Sequence, residues 1–238
     1  LGVIFVNTFI SALLFRLGNV KKNIGYNREG RGFLLDFSPE INYHKHYINR
    51  YAFLFNEYIG NKYVYLPELS LRYTGQKTFQ FDNSHKTIAL YLGGENKEFR
   101  KYPDEYAVQL LRLLNRQGYN LLLIGDENDN IKHTQYAEEA RIDHLINLTA
   151  RTTIEGFINT IANVDLIITI DSSALHIAAA VKTPFIALMG LSTSPTSTIL
   201  PKVPLGRILK IENNLIREED YIRNITPDLI LKTISELI

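Results

Sequence analysis

"TIDSSALHIAAAVKTPFIALMG", residues 169–190, decides how this chain is read. The run that leads into it, Val164-Asp165-Leu166-Ile167-Ile168-Thr169-Ile170, is apolar enough for a strand buried on both faces. It stops at Asp171-Ser172-Ser173. An Ala-rich helix follows with His176 in its first turn, and a second apolar run starts just after Pro184. Strand, small-residue helix and strand make a βαβ unit, and hence a parallel sheet. Ligands of open α/β sheets bind beyond the carboxyl ends of the strands. A helix that starts there presents unpaired N–H groups and the positive end of its dipole, a ready site for phosphate. Ser173 and Ala174 are small enough to let an anion approach. The competing reading makes Asp171 or Ser172 a plain N-cap and His176 a surface residue.

The same alternation continues on either side. Strands are predicted at 87–92, 120–125, 144–148, 164–170, 185–189 and 207–212. Helices are predicted at 103–117, opened by Pro103 with Asp104 and Glu105 in its first turn, at 129–141 and at 173–181. Another opens at Thr152, with Glu155 in capping-box position, and a last one spans 227–238 with Thr226 as its cap. This pattern predicts an α/β domain over 86–238. Upstream lie a strand at 3–6, helices at 9–17 and 42–59, and a short strand near 63–66. On the longer helix Tyr47, Ile48, Tyr51, Phe55, Tyr58 and Ile59 share an apolar face. Residues 1–85 hold 9 of the 12 Phe and 8 of the 14 Tyr, a composition shift that separates a first part, 1–85, from the second. The polar, turn-rich stretch 70–85 marks the boundary. Residue 1 is Leu and "LGVIFVN" reads as mid-strand, so the expectation is a polypeptide lacking the N-terminal part of its first domain.

Composition excludes several functions. The formal net charge of +1 gives no footprint for nucleic acid. There is no cysteine, hence no disulfide or thiolate metal site. No G-x-G-x-x-G, G-x-x-x-x-G-K-[ST] or G-x-S-x-G occurs in a fitting context, which argues against nicotinamide, P-loop and hydrolase chemistry.

Two more loops follow predicted strands. In "GGENKEFRKYP", 93–103, Gly93 and Gly94 would let backbone approach a ligand, and Arg100 and Lys101 sit just before a helix start. Cations there are unfavourable for the dipole unless an anion is present, which favours a diphosphate. "GDENDN", 125–130, begins like a calcium loop, but Ile131 replaces the required Gly and Ala137 the required Glu. No metal is expected. Glu127 suits a ribose hydroxyl instead. Both loops also read as ordinary solvated surface. A basic stretch, Lys21, Lys22, Arg28 and Arg31, makes five cations with Arg16 against one acid, Glu29; it is predicted to meet an anionic partner, and the competing reading is a solvated loop.

These segments resemble glycosyltransferase family 9, the lipopolysaccharide heptosyltransferases. They are "NTFISALLFRLGNVKKNIGYNREGRGFLL", "HKHYINRYAFLF", "GGENKEFRKYPDEYAVQLL", "LLLIGDEND", the long run from "NLTARTTIEGF" to "ALMG", and "GLSTSP". The resemblance implies an α/β, GT-B-like chain. Its Rossmann-like C-terminal domain binds a nucleotide sugar, and a partial N-terminal α/β domain faces the acceptor. It implies an inverting, metal-independent transferase that needs no cofactor and moves heptose from ADP-heptose to a lipopolysaccharide-core acceptor. The setting it implies is cytoplasmic, at the inner face of the cytoplasmic membrane. Carried over by position, it puts the sugar nucleotide against Gly93 and Gly94, with Arg100 or Lys101 near the diphosphate. Glu127 or Asp129 falls by the ribose, Thr152 by the adenine, and Asp171, Ser172, Ser173, Ala174 and His176 by the sugar and phosphates. The family's Gly-Asp segment, with its proposed base, has no counterpart here, so the base is expected upstream of Leu1. The alternatives are a GT-B enzyme with another nucleotide sugar, or a non-catalytic nucleotide-sugar-binding remnant.

Overall fold

The structure, a computed structural model, describes residues 1–65, 68–81, 84–191, 200, 201, 203–211 and 217–238; the side chains of Glu95, Glu98, Glu218 and Glu219 are not described. The chain forms two compact units. The first comprises Leu1–Glu68 and includes Leu200; the second comprises Leu69–Thr193 and Pro201–Ile238.

In the first unit β1 (Gly2–Ile4) pairs in parallel with β2 (Asn23–Gly25), joined through helix α1 (Phe9–Leu17). Isolated parallel bridges Ile24↔Phe37 and Asn27↔Glu40 lay a third extended segment beside β2. Helix α2 (Tyr47–Tyr58) follows. A small core of Ile4, Ala12 and Leu34 is flanked by Phe9, Leu13, Phe15 and Leu35. Phe5 and Val6, predicted as strand, are exposed beyond the end of β1. β2 escapes a reading by pattern because "NIG" is too short to show a period. The predicted helix start at 42 moves to Tyr47, because the His46 imidazole accepts the Ile48 N–H and caps the helix there. Tyr63 to Tyr65 are not a strand: the Asn56 side chain satisfies both the Tyr63 N–H and its carbonyl. Leu66 lies outside the described residues.

The second unit holds six parallel strands: β3 (Thr87–Tyr91), β4 (Asn120–Leu123), β5 (Leu145–Asn147), β6 (Leu166–Ile170), β7 (Phe185–Leu188) and β8 (Gly206–Leu209). Their order is β5-β4-β3-β6-β7-β8. The connecting helices are α3 (Asp104–Arg116), α4 (Asn130–Ala140), α5 (Ile154–Ala162) and α6 (Ser173–Val181), with α7 (Pro227–Ile234) last. Every residue of β3, β4, β6 and β7 is buried, as befits strands covered on both faces. Successive strands run outward from β3 to β5, and the chain then returns to lay β6 on the other side of β3. The switch point is therefore the gap between the carboxyl ends of β3 and β6. The turn-rich segment after Glu68 packs on this unit: the Asn159 side chain accepts the N–H groups of Thr74 and Gly75, both at 3.1 Å.

Helix α5 starts one residue later than expected. Thr153, not Thr152, is its N-cap, with Oγ1 accepting the Gly156 N–H at 3.1 Å, so Gly156 takes the place assigned to Glu155 and no capping box forms. Thr152 is left half-buried in the loop ahead of the helix. Among the described residues no helix is long and apolar enough to cross a membrane.

Candidate nucleotide-sugar site

Helix α6 begins at the switch point. Its N-cap is Ser172, in extended backbone at φ −152°. The Thr169 hydroxyl donates to the Ile170 carbonyl at 2.9 Å and lies 3.0 Å from Ser172 Oγ, which accepts the Ala174 N–H at 3.2 Å. Ser172 thus organises the turn, and the plain-cap reading describes its hydroxyl. Ala174 is buried and its N–H is taken by that cap. Ser173 and His176 are exposed, three positions apart and so on one side of the first turn, and Asp171 is half-buried before them. The N–H groups of Ser173 and Leu175 are those that a helix start leaves without an intrahelical acceptor.

The glycines of the β3 loop have a more local cause than ligand approach. Gly93 takes φ +81°, and a Cβ there would meet Ile170 Cδ1 at 2.7 Å. A Cβ on Gly94 would meet the Asn128 carbonyl oxygen at 2.4 Å and Asp129 Cα at 2.7 Å, so the β3 and β4 loops touch backbone to backbone. Asp129 sits fully buried at that junction, and its Oδ2 accepts the Asp126 N–H at 3.0 Å. Asp126 in turn accepts the Asn128 N–H at 2.8 Å, a reciprocal capping box around the 3-10 turn Glu127–Asp129. Asp129 is therefore part of the scaffold, while Glu127 is exposed, as is Asp126 beside it. Burial, together with the charge of Asp129, pushes the Tyr91 phenol well above its usual range, so it stays protonated.

Cations divide between two places. Lys101 pairs with Asp104 at 2.8 Å, and Lys132 holds the other oxygen at 3.1 Å. Burial alone would raise the Asp104 carboxyl, but hydrogen bonds from Lys101, Tyr136 and Lys132 outweigh it and hold the pKa at about 2. Lys101 thus serves the start of α3. Arg100 is half-buried at the end of the 3-10 turn Glu95–Arg100. Lys97, passed over in the sequence, lies at the strand ends. Its Nζ is 3.2 Å from Asp126 Oδ2 and 5.8 Å from the Tyr91 ring centroid, and its stem flanks Gly93.

The basic stretch of the first unit disperses. Arg31 does not face solvent: it is fully buried and spends its guanidinium on the Tyr26, Val6 and Thr8 carbonyls, Ser11 Oγ and Asn7 Oδ1. Gly25 makes room for it, since a Cβ there would lie 3.2 Å from Arg31 Nη2. Lys22 pairs with Asp36 at 3.3 Å, and Asp36 accepts the Asn23 N–H at the amino end of β2, away from the carboxyl edge. Ser192 to Pro195 lie outside the described residues.

Known proteins resemble the chain as a whole. The profile of glycosyltransferase family 9 (heptosyltransferase) matches residues 3–219. The chain belongs to this family. A lipooligosaccharide heptosyltransferase 2 of Haemophilus influenzae is 31% identical over 158 residues, which are 61% of this chain and 45% of that protein. The Haemophilus ducreyi heptosyltransferase 2 is 24% identical over 272 residues, covering 100% of this chain and 76% of its own length. Among solved structures, E. coli ADP-heptose lps heptosyltransferase II superposes with a TM-score of 0.83 at 21% identity, over 99% of this chain and 75% of that one. The chain thus spans about half of one curated relative and three quarters of the other, and its fold is the GT-B-like fold of the family 9 heptosyltransferases.

Proposed function

We propose that the chain acts in heptose transfer from ADP-heptose to a lipopolysaccharide-core acceptor, with inversion at the anomeric carbon and without a metal. Family membership supports the reaction class. The observation that carries the donor site is the Ser172-capped start of α6 at the switch point, with Ser173 and His176 exposed on its first turn and Lys97 at the neighbouring strand end.

In this reading the diphosphate lies at the α6 N-terminus, with Asp171 and His176 on the sugar side, Glu127 toward the ribose and Thr152 toward the adenine. The acceptor hydroxyl loses its proton to a base as its oxygen attacks the anomeric carbon. The bond from that carbon to the diphosphate breaks on the opposite face. ADP leaves with an added negative charge, which the helix start, Lys97 and Arg100 stabilise electrostatically. The protein works at the cytoplasmic face of the inner membrane, where such an acceptor is presented.

A thermal-shift panel of ADP-heptose, ADP, UDP-sugars and GDP-sugars, each with and without EDTA, tests this. At about 100 times its dissociation constant, ADP-heptose should stabilise the chain by about 2.7 kcal/mol. His176→Ala and Asp171→Ala should lose most of that shift while keeping the unliganded melting temperature. A shift with UDP- or GDP-sugars alone would assign another donor. Equal shifts in wild type and both variants would remove the site, and loss of the shift in EDTA would remove metal independence.

A further inference from the structure

The stretch 70–85 does more than mark a boundary. Its second half walls a cleft of about 650 Å³ in the second unit, the size of a small-ligand site. The cleft lies at the amino ends of β3 and β6, where Thr87 and Asp165 line it. Each of those strands is five residues long, so roughly 16 Å separates the cleft from the start of α6 at their other ends. Its walls are held by hydrogen bonds. Asp165 Oδ2 accepts the Thr87 N–H at 2.8 Å. Thr78 Oγ1 lies 2.6 Å from Thr160 Oγ1, which pins the segment 77–81 to α5. Asn120 Nδ2 donates to the His85 carbonyl at 3.3 Å.

The lining combines an aromatic wall with cations. Phe79 and Phe81 are half-buried, with ring centroids 6.0 Å apart and planes at 53°. Lys77, His85 and Lys86 stand exposed around the same cleft. Among the described residues neither lysine enters an ion pair. The carboxylate among the described lining residues is Asp165, and one of its oxygens is committed to Thr87. The end of α5 adds the negative end of a helix dipole, about half a charge. Two of its carbonyls are already answered: the Asn163 N–H donates to Thr160 at 3.2 Å and the Asn163 side chain to Asn159 at 2.8 Å. Two lysines outweigh one carboxylate and that partial charge, so the cleft favours an anion. The phenylalanines favour an anion that carries a flat apolar body.

We propose that this cleft binds a nucleoside phosphate, its base against the Phe79 and Phe81 rings and its phosphates between Lys77, Lys86 and His85. A nucleobase stacks on an aromatic side chain through its π-face, and lysine meets phosphate as a point charge. The site is separate from the α6 start and does not depend on the donor reading. ADP, the nucleotide that reading releases, is the probe.

The test is calorimetric titration of the full chain with ADP, adenosine and inorganic diphosphate. Wild type should bind ADP in two events. The Lys77→Ala, Lys86→Ala double variant should weaken one of them at least about tenfold and leave the other, which His176→Ala weakens instead. Phe81→Leu keeps an apolar wall without a ring and should weaken the lysine-dependent event about fivefold or more. Adenosine and diphosphate, each lacking half of the ligand, should fill the cleft at least about tenfold more weakly than ADP. Should the double variant not fold, Lys77→Ala alone carries the test, because that side chain is exposed; the expected loss is then about threefold. A single event that His176→Ala removes and the lysine variants leave untouched overturns the site, as does diphosphate binding as tightly as ADP, or no ADP binding by wild type. A single event lost in the lysine variants and kept by His176→Ala would support the cleft and count against the donor reading alone.

Discussion

Gly94→Ala separates two explanations of the glycines after β3. If Gly94 exists to admit a phosphate, alanine should leave the empty protein intact and harm only binding. The packing predicts otherwise. The new methyl would lie 2.4 Å from the Asn128 carbonyl oxygen and 2.9 Å from Asp129 Oδ1, both on the buried junction of the β3 and β4 loops. Ordinary contact starts at 3.4 Å, so the loops must part by roughly 1 Å. Overpacking of this kind costs about 1–3 kcal/mol, and the entropy that alanine removes from the unfolded chain returns only about 0.4–1 kcal/mol. Taken at the middle of both ranges, the net expectation is a destabilisation of about 1.3 kcal/mol, or about 3–5 °C in melting temperature for a chain of this size. Gly75→Ala is the control: its φ is +75° but nothing lies within 4 Å, so only the backbone term acts. The assay is urea unfolding without ligand, followed through the tyrosines. A Gly94→Ala protein within about 0.3 kcal/mol of wild type but deficient in ADP binding would refute the packing argument.

Other expectations follow from single interactions. Ser172→Ala removes the α6 cap and should cost about 1 kcal/mol in denaturant, with donor affinity falling as the turn loosens. Lys182 stands at φ +66° just past α6, and Lys182→Gly should stabilise the protein by up to about 1 kcal/mol in the same assay. Asp104 has a folded pKa near 2 against an ordinary 3.8, so its stabilisation is complete above pH 4 and is lost as pH falls through 2. With 41% of that side chain exposed, screening reduces the effect to about 1 kcal/mol, and Asp104→Asn should flatten the acid limb by that amount. Arg31→Met should cost about 3 kcal/mol or more, because several acceptors at the site lose their donor at about 1–3 kcal/mol each, whereas a cation facing solvent would cost little. A melt within 2–4 °C of wild type, roughly 1 kcal/mol, would contradict its burial.

The second unit was legible because long apolar runs and small-residue helices repeat; α6 falls at 173–181 as its pattern predicts. What the pattern missed depends on contacts far along the chain. Thr152 and Thr153 are equally good caps by type, and only the hydrogen bond to Gly156 selects the second. Asp129 reads as one acid of a solvated loop until Gly94 and Gly125 are seen to close over it. Arg31 reads as surface because nothing local reveals the space left by Gly25. Lys97 lies mid-loop, and it reaches the strand ends only once Asp126 of the next loop is in place.

The strand order also governs how the chain can fold as it is made. β3 must accept β6, and Ile88 is paired with Leu166, 78 residues later. At roughly 5–20 residues per second, a ribosome needs about 4–16 s to deliver that partner. Throughout that interval β3 offers an unprotected apolar edge on the side that β6 will take, a template for wrong pairing with any other nascent chain. The pause between β5 and β6 is filled by α5, whose synthesis covers no part of that edge. Yield in cells should therefore respond to translation speed and to chaperones that hold extended apolar segments, even where the finished protein is stable.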